Sequence, residues 1–213
     1  MKKLGIIITL LTFLMACKAP NQKVILPYYN TPDFTPIWLT PADPQYKNIH
    51  TIANFQFTNQ FGQSITNKNV AGKIYVANFF FTSCASICPQ MMSNLANVQK
   101  AFINDTSVTI LSHSVTPAHD NTQVLLKYAN TNHIDGKNWW LLTGDKEAIY
   151  QLARQSYFAE NSNGFDKGVN EFLHTENLVL IDRKGRIRGV YNGSLRLEVD
   201  NLIRHIKLLE DED

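Results

Sequence analysis

Two cysteines, Cys84 and Cys88, lie in the stretch FFFTSCASICPQMM, with three residues between them and a proline after the second. Cysteine side chains act as nucleophiles and as soft-metal ligands, so a structural disulfide, a redox dithiol and a metal site all compete. A disulfide here would close a very short loop, and the stabilisation from such closure shrinks with loop size. Redox exchange and metal binding therefore remain as the two alternatives for this pair.

The spacing of the pair favours a metal, because dithiol oxidoreductases have two residues between their cysteines. The third residue between Cys84 and Cys88 allows a wider separation of the two sulfurs, which leaves room for an ion. Two soft sulfurs alone suit Cu(I) best and Zn(II) next. Pro89 indicates that a helix begins here, because proline is tolerated in the first turn of a helix. We therefore expect Cys88 at or beside the helix N-cap, where free N–H groups and the helix dipole favour its thiolate.

The pattern of apolar residues places the pair between a strand and a helix. Lys73 to Phe81 is a continuous apolar run, typical of a strand buried on both faces, and Pro89 to Phe102 has a helical period. Alternation at Phe55 and Phe57, ahead of a turn at residues 59–63, predicts a β-hairpin. The same reasoning predicts strands at residues 108–115, 139–142, 177–182 and 187–191, and helices at residues 122–132, 145–157 and 195–209.

This order of elements predicts an α/β protein. The early alternation of strands and helices implies parallel strands with helices on both faces, and the last two strands form a hairpin at an antiparallel edge. A cysteine pair between the first buried strand and the next helix is the thioredoxin-like arrangement. The predicted fold class is therefore α/β, a thioredoxin-like fold with an N-terminal β-hairpin and a late β-hairpin insertion.

A metal held by two cysteines needs a third ligand, which we expect to be a histidine or methionine from elsewhere in the chain. His174 immediately precedes the strand predicted at residues 177–182. In a thioredoxin-like fold the loop before that strand lies beside the helix start, so His174 is the leading candidate. His119, in the loop that follows the strand at residues 108–115, is the weaker alternative.

The other histidines and Met92 have simpler interpretations. His50 and His133 stand among polar residues and are interpreted as solvated. His113 lies inside a predicted strand, which favours a hydrogen-bonded core residue, and His205 takes a surface or groove position on the last helix. Met92 follows the apolar stripe of its helix, so we interpret it as part of the core.

The first sixteen residues, 1–16, are predicted to be a lipoprotein signal peptide. Lys2 and Lys3 precede an apolar stretch at residues 5–15 that is too short to span a bilayer comfortably. The sequence LMAC ending at Cys17 resembles a bacterial lipobox, which implies cleavage before Cys17 and lipidation of that cysteine; a plain signal peptide is the alternative. We therefore expect a cell-envelope protein, lipid-anchored to a bacterial membrane, with its domain facing the periplasm.

Residues 17–48 are predicted to be a proline-rich tether, because six of the eight prolines lie between Pro20 and Pro44. Its aromatic residues, which include Tyr28 and Trp38, are too apolar to leave in water, so part of the tether should pack on the domain. The domain itself is predicted to span residues 49–213.

The charged residues exclude one class of partner. The formal net charge is +2, and loss of Lys2 and Lys3 with the signal peptide takes it to zero, so nothing suggests nucleic-acid binding. The basic run at residues 183–186 is interpreted as a solvated turn between strands. The acidic residues from Glu210 to Asp213 are expected to be a frayed end.

Three stretches of the chain resemble the Sco/SenC family: FFFTSCASICPQMM, WWLLTGDKEAIYQLA and FLHTENLVLIDRKGRIRGVYNG. The match runs from about Phe55 to the last helix, and the C-x-x-x-C-P motif with a later histidine before an apolar strand is quite specific. The resemblance implies a thioredoxin-like fold that binds copper, as Cu(I) or Cu(II). It further implies that Cys84, Cys88 and His174 are the copper ligands, with Cys84 and Cys88 also able to form a redox disulfide.

The resemblance also implies a function, namely a metallochaperone, not an enzyme, for the dinuclear copper centre of cytochrome c oxidase. The implied partners are cytochrome c oxidase subunit II or its apo copper site, a thioredoxin-like reductant, and the membrane. The alternative is a thiol–disulfide oxidoreductase of the thioredoxin superfamily. One loop departs from the family pattern S-V-D-P-x-x-D: here it reads SVTPAHD, so Thr116 replaces the first acid while Asp120 keeps the second.

Overall fold

The computed structural model describes residues 24–160, 172–173 and 175–212. Its strands are β1 (Tyr28–Tyr29), β2 (Pro36–Ile37), β3 (Gln56–Asn59), β4 (Ser64–Thr66), β5 (Ile74–Phe80), β6 (Val108–Ser114), β7 (Trp139–Thr143), β8 (Asn177–Ile181) and β9 (Ile187–Asn192). Its α-helices are α1 (Asn67–Val70), α2 (Cys88–Ala101), α3 (Thr122–Thr131), α4 (Lys146–Gln151) and α5 (Arg196–Glu210). The predicted signal peptide, Cys17 and His174 lie outside the described residues.

The main sheet has seven strands in the order β4-β3-β7-β6-β5-β8-β9. Strand β5 pairs in parallel with β6, and β6 with β7, while β3 and β8 join the sheet antiparallel. All seven residues of β5 are buried, as expected for a central strand with both faces covered. The predicted α/β thioredoxin-like fold, with an early hairpin of β3 and β4 and a late hairpin of β8 and β9, is confirmed.

Two hydrophobic clusters form the core, one on each face of the sheet. The first contains buried side chains of α2, α3 and α5, among them Leu95, Leu125 and Leu202. The second contains residues of α4 and of the segment before β3, among them Ile149 and Phe55. The helix predicted at residues 145–157 is shorter than expected, because the α-helix ends at Gln151 and continues as a π-helical turn, Leu152–Ser156.

Residues 24–48 run along the domain as a strap that contains the small β1–β2 hairpin and a 3-10 turn, Pro44–Asn48. Leu26 and Tyr28 of this strap are buried. Trp38 was expected to avoid water, yet 63% of its surface is exposed. No helix within the described residues is long and apolar enough to cross a bilayer.

Two predictions about charged residues are wrong. Arg186 was expected in a solvated turn, but it is buried and its guanidinium pairs with Asp182 at 2.7 Å. Glu212 was expected in a frayed end, but its carboxylate accepts two hydrogen bonds from buried Arg188, at 2.7 and 2.9 Å. The acidic end of the chain therefore supplies a counter-charge for a buried arginine.

Candidate metal centre

The two cysteines occupy the connection between the central strand β5 and helix α2. Strand β5 ends at Phe80 and α2 begins at Cys88, so Cys84 lies in the middle of the loop. A turn holds this loop, in which the Cys84 N–H donates to the carbonyl of Phe81 at 3.2 Å. Cys88 is the first residue of α2, immediately after the N-cap residue Ile87, which confirms the expected helix start.

The two side chains are close together but differ in their exposure. Cys84 is half-buried and Cys88 is buried, and both are free thiols. Each thiol shifts the pKa of the other, which shows that the two sulfurs interact. The Cys88 side chain belongs to the core cluster of α2, whereas Cys84 packs on its margin. One soft sulfur therefore faces outward and the other is fixed in the protein interior.

The protonation preferences of the pair reverse the sequence-based expectation. Burial and, to a lesser extent, the interaction with Cys84 together raise the pKa of Cys88 to about 12. Partial burial also raises the pKa of Cys84, but hydrogen bonds from the Cys88 thiol and from backbone N–H groups of residues 86–88 outweigh it and lower that pKa. The amides at the helix start thus favour the thiolate of Cys84, not of Cys88, because the Cys88 side chain is directed into the core.

A buried carboxylate, Asp120, ties the cysteine loop to the neighbouring strand. It is fully buried and accepts hydrogen bonds from the backbone N–H and the hydroxyl of Thr82, two residues before Cys84. It also accepts from the hydroxyls of Ser114, at the end of β6, and Thr116, at 2.6 and 3.0 Å. Burial raises the pKa of Asp120, but these hydrogen bonds, with that of His119, outweigh it and keep the pKa low.

The role of Asp120 could not be predicted from the sequence, in which it is the acid at the end of the loop SVTPAHD. The position of Asp120 in the chain could have indicated that it lies near Cys84. Strands β5 and β6 are parallel neighbours, so the loops that follow them meet at one edge of the sheet. Thr116, which replaces the family's first acid, donates to Asp120. The substitution therefore supplies a neutral donor beside a carboxylate that is already buried.

Two contacts between aromatic rings lie near the pair. Tyr128 of α3 lies beside Phe80, with ring centroids 5.6 Å apart, and borders the same core cluster as both cysteines. Burial, followed by the proximity of Cys88 and Cys84, raises the pKa of Tyr128 to about 12. On the other side the ring of Phe172 meets that of Phe81 edge-on at 5.2 Å. Neither aromatic contact was foreseen from the sequence.

The structure places His119 at the edge of this site. Its side chain is 62% exposed, and its Nδ1 lies 2.8 Å from the carboxylate of Asp120. Among the described residues, no three His, Cys, Asp or Glu side chains come close enough together to hold a metal. His119, the weaker candidate, therefore does not join Cys84 and Cys88 in a preformed ligand group.

The remaining histidines lie elsewhere. His133 is exposed, as expected, but His50 is half-buried and its Nε2 lies 2.8 Å from the carbonyl of Ser156. His205 is half-buried, with its Nδ1 2.7 Å from the Tyr191 hydroxyl. His113 is fully buried, but neither of its ring nitrogens has a hydrogen-bond partner among the described residues. The expected core position of His113 is therefore confirmed, whereas the expected hydrogen bond is not found among the described residues.

The leading third ligand, His174, lies outside the described residues, so the structure does not test it. Its described neighbours lie at the cysteine end of the fold. Leu173 is buried in the core, and Phe172 contacts Phe81, three residues before Cys84. The described residues alone thus bring together two candidate ligands, Cys84 and Cys88.

Comparison with known proteins matches the chain to one family. The model of the SCO1/SenC family matches residues 43–209, which is most of the chain. A SCO1/SenC family lipoprotein from Bacillus anthracis is 31% identical in sequence and superimposes with a TM-score of 0.66, covering 76% of this chain and 95% of that one.

Two further solved structures are similar. BsSco, described as a member of the Sco family of cytochrome c oxidase assembly proteins with a disulfide switch, is 27% identical, with a TM-score of 0.65 over 78% of this chain and 96% of that one. Copper-bound ScoI from Bradyrhizobium japonicum is 25% identical, with a TM-score of 0.58 over 74% of this chain and 98% of that one.

Proposed function

The chain belongs to the SCO1/SenC family, and on that premise we propose that it is a membrane-tethered metallochaperone that binds copper and delivers it to, or prepares the site for, the dinuclear copper centre of cytochrome c oxidase. One observation carries the proposal. Cys84 and Cys88 are free thiols in the loop before α2 and at its first residue, and each shifts the pKa of the other. The copper-bound ScoI and the oxidase-assembly protein BsSco, both similar in sequence and fold, support the same function.

The donor set fits copper in its monovalent form. Two soft sulfurs close together suit Cu(I) better than harder divalent ions. We propose His174 as the third ligand. In support, Phe172 contacts the cysteine loop at Phe81, and two residues of chain span at most about 7 Å. The ion is cargo in this proposal, held until a client site takes it.

The two sulfurs have different parts in this function. Cys88 is buried and rigidly placed by α2, so it fixes the position of the site. Cys84 is half-buried, so an incoming ligand from a client can approach its side of the ion. The hydrogen bonds from Thr82 to Asp120 hold the loop that carries Cys84. The protein thereby keeps one ligand fixed and the other accessible, as a site that transfers metal requires.

Protons compete with copper for both sulfurs. Because the pKa of Cys88 is about 12, this side chain is a neutral thiol at neutral pH and must release its proton to bind copper. Copper affinity should therefore rise with pH, by about tenfold per unit for each proton displaced. Oxidation of the pair to a disulfide removes both ligands, so the chain needs a reductant, for which we propose a thioredoxin-like protein.

Thiol–disulfide exchange is the second candidate function, and the unequal pKa values favour it specifically. The Cys84 thiolate would attack one sulfur of a client disulfide and release the other as a thiolate, forming a mixed disulfide. Cys88 would then lose its proton to water and attack the Cys84 sulfur, which breaks the mixed disulfide and frees the second client sulfur as a thiolate. The client gains two electrons and the chain ends with a Cys84–Cys88 disulfide. The same exchange can prepare the cysteines of a copper site.

Tethering is proposed through residues that precede the described part of the chain. Residues 1–16 would be removed as a signal peptide and Cys17 would carry lipid, with residues 17–48 as the tether. The similarity to a Bacillus anthracis lipoprotein supports this proposal. The protein would then act at the cell envelope, facing the periplasm, where cytochrome c oxidase subunit II or its apo copper site is the proposed partner.

A Cu(I) competition titration and a copper-free turnover assay separate the two functions. We expect one tightly bound copper per chain in the detergent-solubilised protein, with binding lost in Cys84→Ser and in Cys88→Ser. The same protein should reduce a model disulfide slowly. Rapid catalytic turnover together with weak, substoichiometric copper binding would overturn the metallochaperone proposal and leave the oxidoreductase.

A further inference from the structure

The strap joins the domain at the end of the sheet opposite the cysteines. Buried Arg188 donates hydrogen bonds to the carbonyls of Leu26 and Pro27, at 2.7 and 3.1 Å. Arg188 follows Ile187, which pairs with Ile181, and Ile181 pairs with Tyr75 near the beginning of β5. The cysteine loop, by contrast, follows the last residue of β5. The start of the described chain and the thiols therefore lie at opposite ends of the central strand.

This junction is firmly held. The guanidinium of Arg188 lies 4.3 Å from the ring centroid of Tyr28, and Arg186 lies over the rings of Tyr28 and Tyr46 at 4.7 and 5.1 Å. Arg186 also donates to the hydroxyl of Tyr46 at 2.7 Å. Two buried cations thus bind both arms of the strap. The position at which the strap leaves the domain is fixed by these contacts.

Beside this junction the strap exposes three large apolar side chains, which we call the strap patch: Val24, Ile25 and Trp38. They are exposed to 58%, 53% and 63% respectively. The indole N–H of Trp38 donates to the carbonyl of Ile25 at 3.3 Å, which brings the two arms of the strap side by side. Exposure of a tryptophan next to two aliphatic side chains is unfavourable in water, and such an apolar patch is typical of a surface that binds a partner.

We propose that the strap patch inserts into the interfacial region of a lipid bilayer, which turns the cysteine end of the domain away from the membrane surface. Tryptophan is enriched at this depth because its ring is apolar and its N–H is polar. The inference rests on the proposed lipidation of Cys17. Only six residues separate Cys17 from Val24, so a lipid there lies within about 25 Å of the patch.

The charge of the intervening sequence agrees with the same partner. Between Cys17 and Tyr28 the charged residues are Lys18 and Lys23, and both are positive. Lysines next to an anchor are attracted to anionic lipid headgroups. An acyl chain, two cations and an apolar patch on the same segment therefore all favour a bilayer as the surface that covers Trp38.

Tryptophan fluorescence of the full lipidated chain tests this inference directly. The chain has three tryptophans, of which Trp139 is buried and Trp140 is half-buried. The protein is reconstituted in vesicles of phosphatidylcholine and phosphatidylglycerol, with and without bromine on the acyl chains. The signal of Trp38 is the difference between the wild type and Trp38→Phe, with Trp140→Phe as a matched control that keeps Trp38.

We expect brominated lipid to quench the Trp38 signal at least twofold, and the vesicles to protect it from aqueous iodide. A Trp38 signal that stays open to iodide and unquenched by bromine would overturn the inference. Protection from iodide without bromine quenching would also overturn it, in favour of a protein that covers the patch. Cu(I) titration of the same vesicles reports the proposed metallochaperone function separately, since Cys84→Ser should abolish copper binding and leave the Trp38 signal unchanged.

Discussion

The two ends of the central strand use buried polar groups in different ways. At the arginine end, Asp182, Arg186, Arg188 and Glu212 neutralise one another and clamp the strap. At the cysteine end, Asp120 holds the backbone of the loop, while the Cys88 thiol and nearby amides lower the pKa of Cys84. The charges of the first network stabilise the fold. The second network positions the two cysteine sulfurs and leaves them available to bind metal. Stability and function are thereby separated along one strand.

The largest expected effect is on copper binding when a cysteine is replaced. Cys84→Ser should lower Cu(I) affinity by more than about 100-fold, beyond what the loss of a supporting residue usually costs. Because Cys84 is half-buried, the free energy of unfolding of this variant should differ from that of the wild type by less than about 1 kcal/mol. Copper titration and urea denaturation of one preparation give both numbers. A variant that loses stability but keeps its copper would contradict the separation of the two ends.

The reverse result is expected at the arginine end. Arg188→Met removes a buried cation, so the carboxylates of Asp182 and Glu212 lose positive charge that neutralises them. The free energy of unfolding should fall by about 3 kcal/mol. Copper affinity should stay within about twofold of the wild type. The matched control is Arg196→Ala, whose pair with Asp200 is exposed on both sides and should cost less than about 1 kcal/mol. Equal costs for the two arginines would show that burial does not distinguish them.

His113 is a buried polar residue of β6 that should make the stability of the fold sensitive to acid. Burial lowers the pKa of His113 to about 3, from an ordinary value of 6.5. The unfolded chain therefore binds a proton below pH 6.5 that the folded chain does not, so stability falls as the pH drops, by roughly 2 kcal/mol at pH 5. His113→Leu should remove this component of the pH dependence of unfolding.

The same variant should be as stable as the wild type at pH 8 or more stable, since His113 has no hydrogen-bond partner among the described residues. Urea denaturation at pH 8 and pH 5 checks both statements. If the wild type and His113→Leu lose stability equally between these two values, then His113 is not the acid-sensitive group.

A smaller effect is expected for Asp120→Asn. This change weakens the hydrogen bonds from Thr82 and Ser114, which should loosen the loop that carries Cys84 and lower copper affinity by about 10- to 100-fold. A partial loss with unchanged stoichiometry would identify Asp120 as a positioning residue. Full retention of affinity would show that the turn at Phe81 holds the loop without it.

The order of elements and the place of the cysteine pair could be predicted because both depend on local signals. The apolar run of β5, the helical period of α2 and Pro89 are all readable within a few residues of the chain. The helix start was right, but the preferred thiolate was assigned to the wrong cysteine. A local pattern shows where a helix begins, whereas burial decides which sulfur its amides reach.

The polar networks could not be predicted, since their partners are far apart in the chain. Arg188 contacts the strap at Leu26 and the end of the chain at Glu212. Nothing in the sequence around Arg188 shows that these segments meet, and the neighbouring basic run at residues 183–186 was expected in solvent although Arg186 is buried. His113 posed the opposite problem, because its strand position indicates burial but cannot show that no partner reaches its ring.

The most direct test of the proposed copper site is a Cu(I) competition titration of His174→Ala beside His119→Ala, at constant pH and with both cysteines reduced. The account predicts one copper per chain throughout, a clear loss of affinity in His174→Ala, and affinity within about threefold of the wild type in His119→Ala, whose ring is exposed and bound to Asp120. Unchanged affinity in His174→Ala, or a larger loss in His119→Ala, would contradict it.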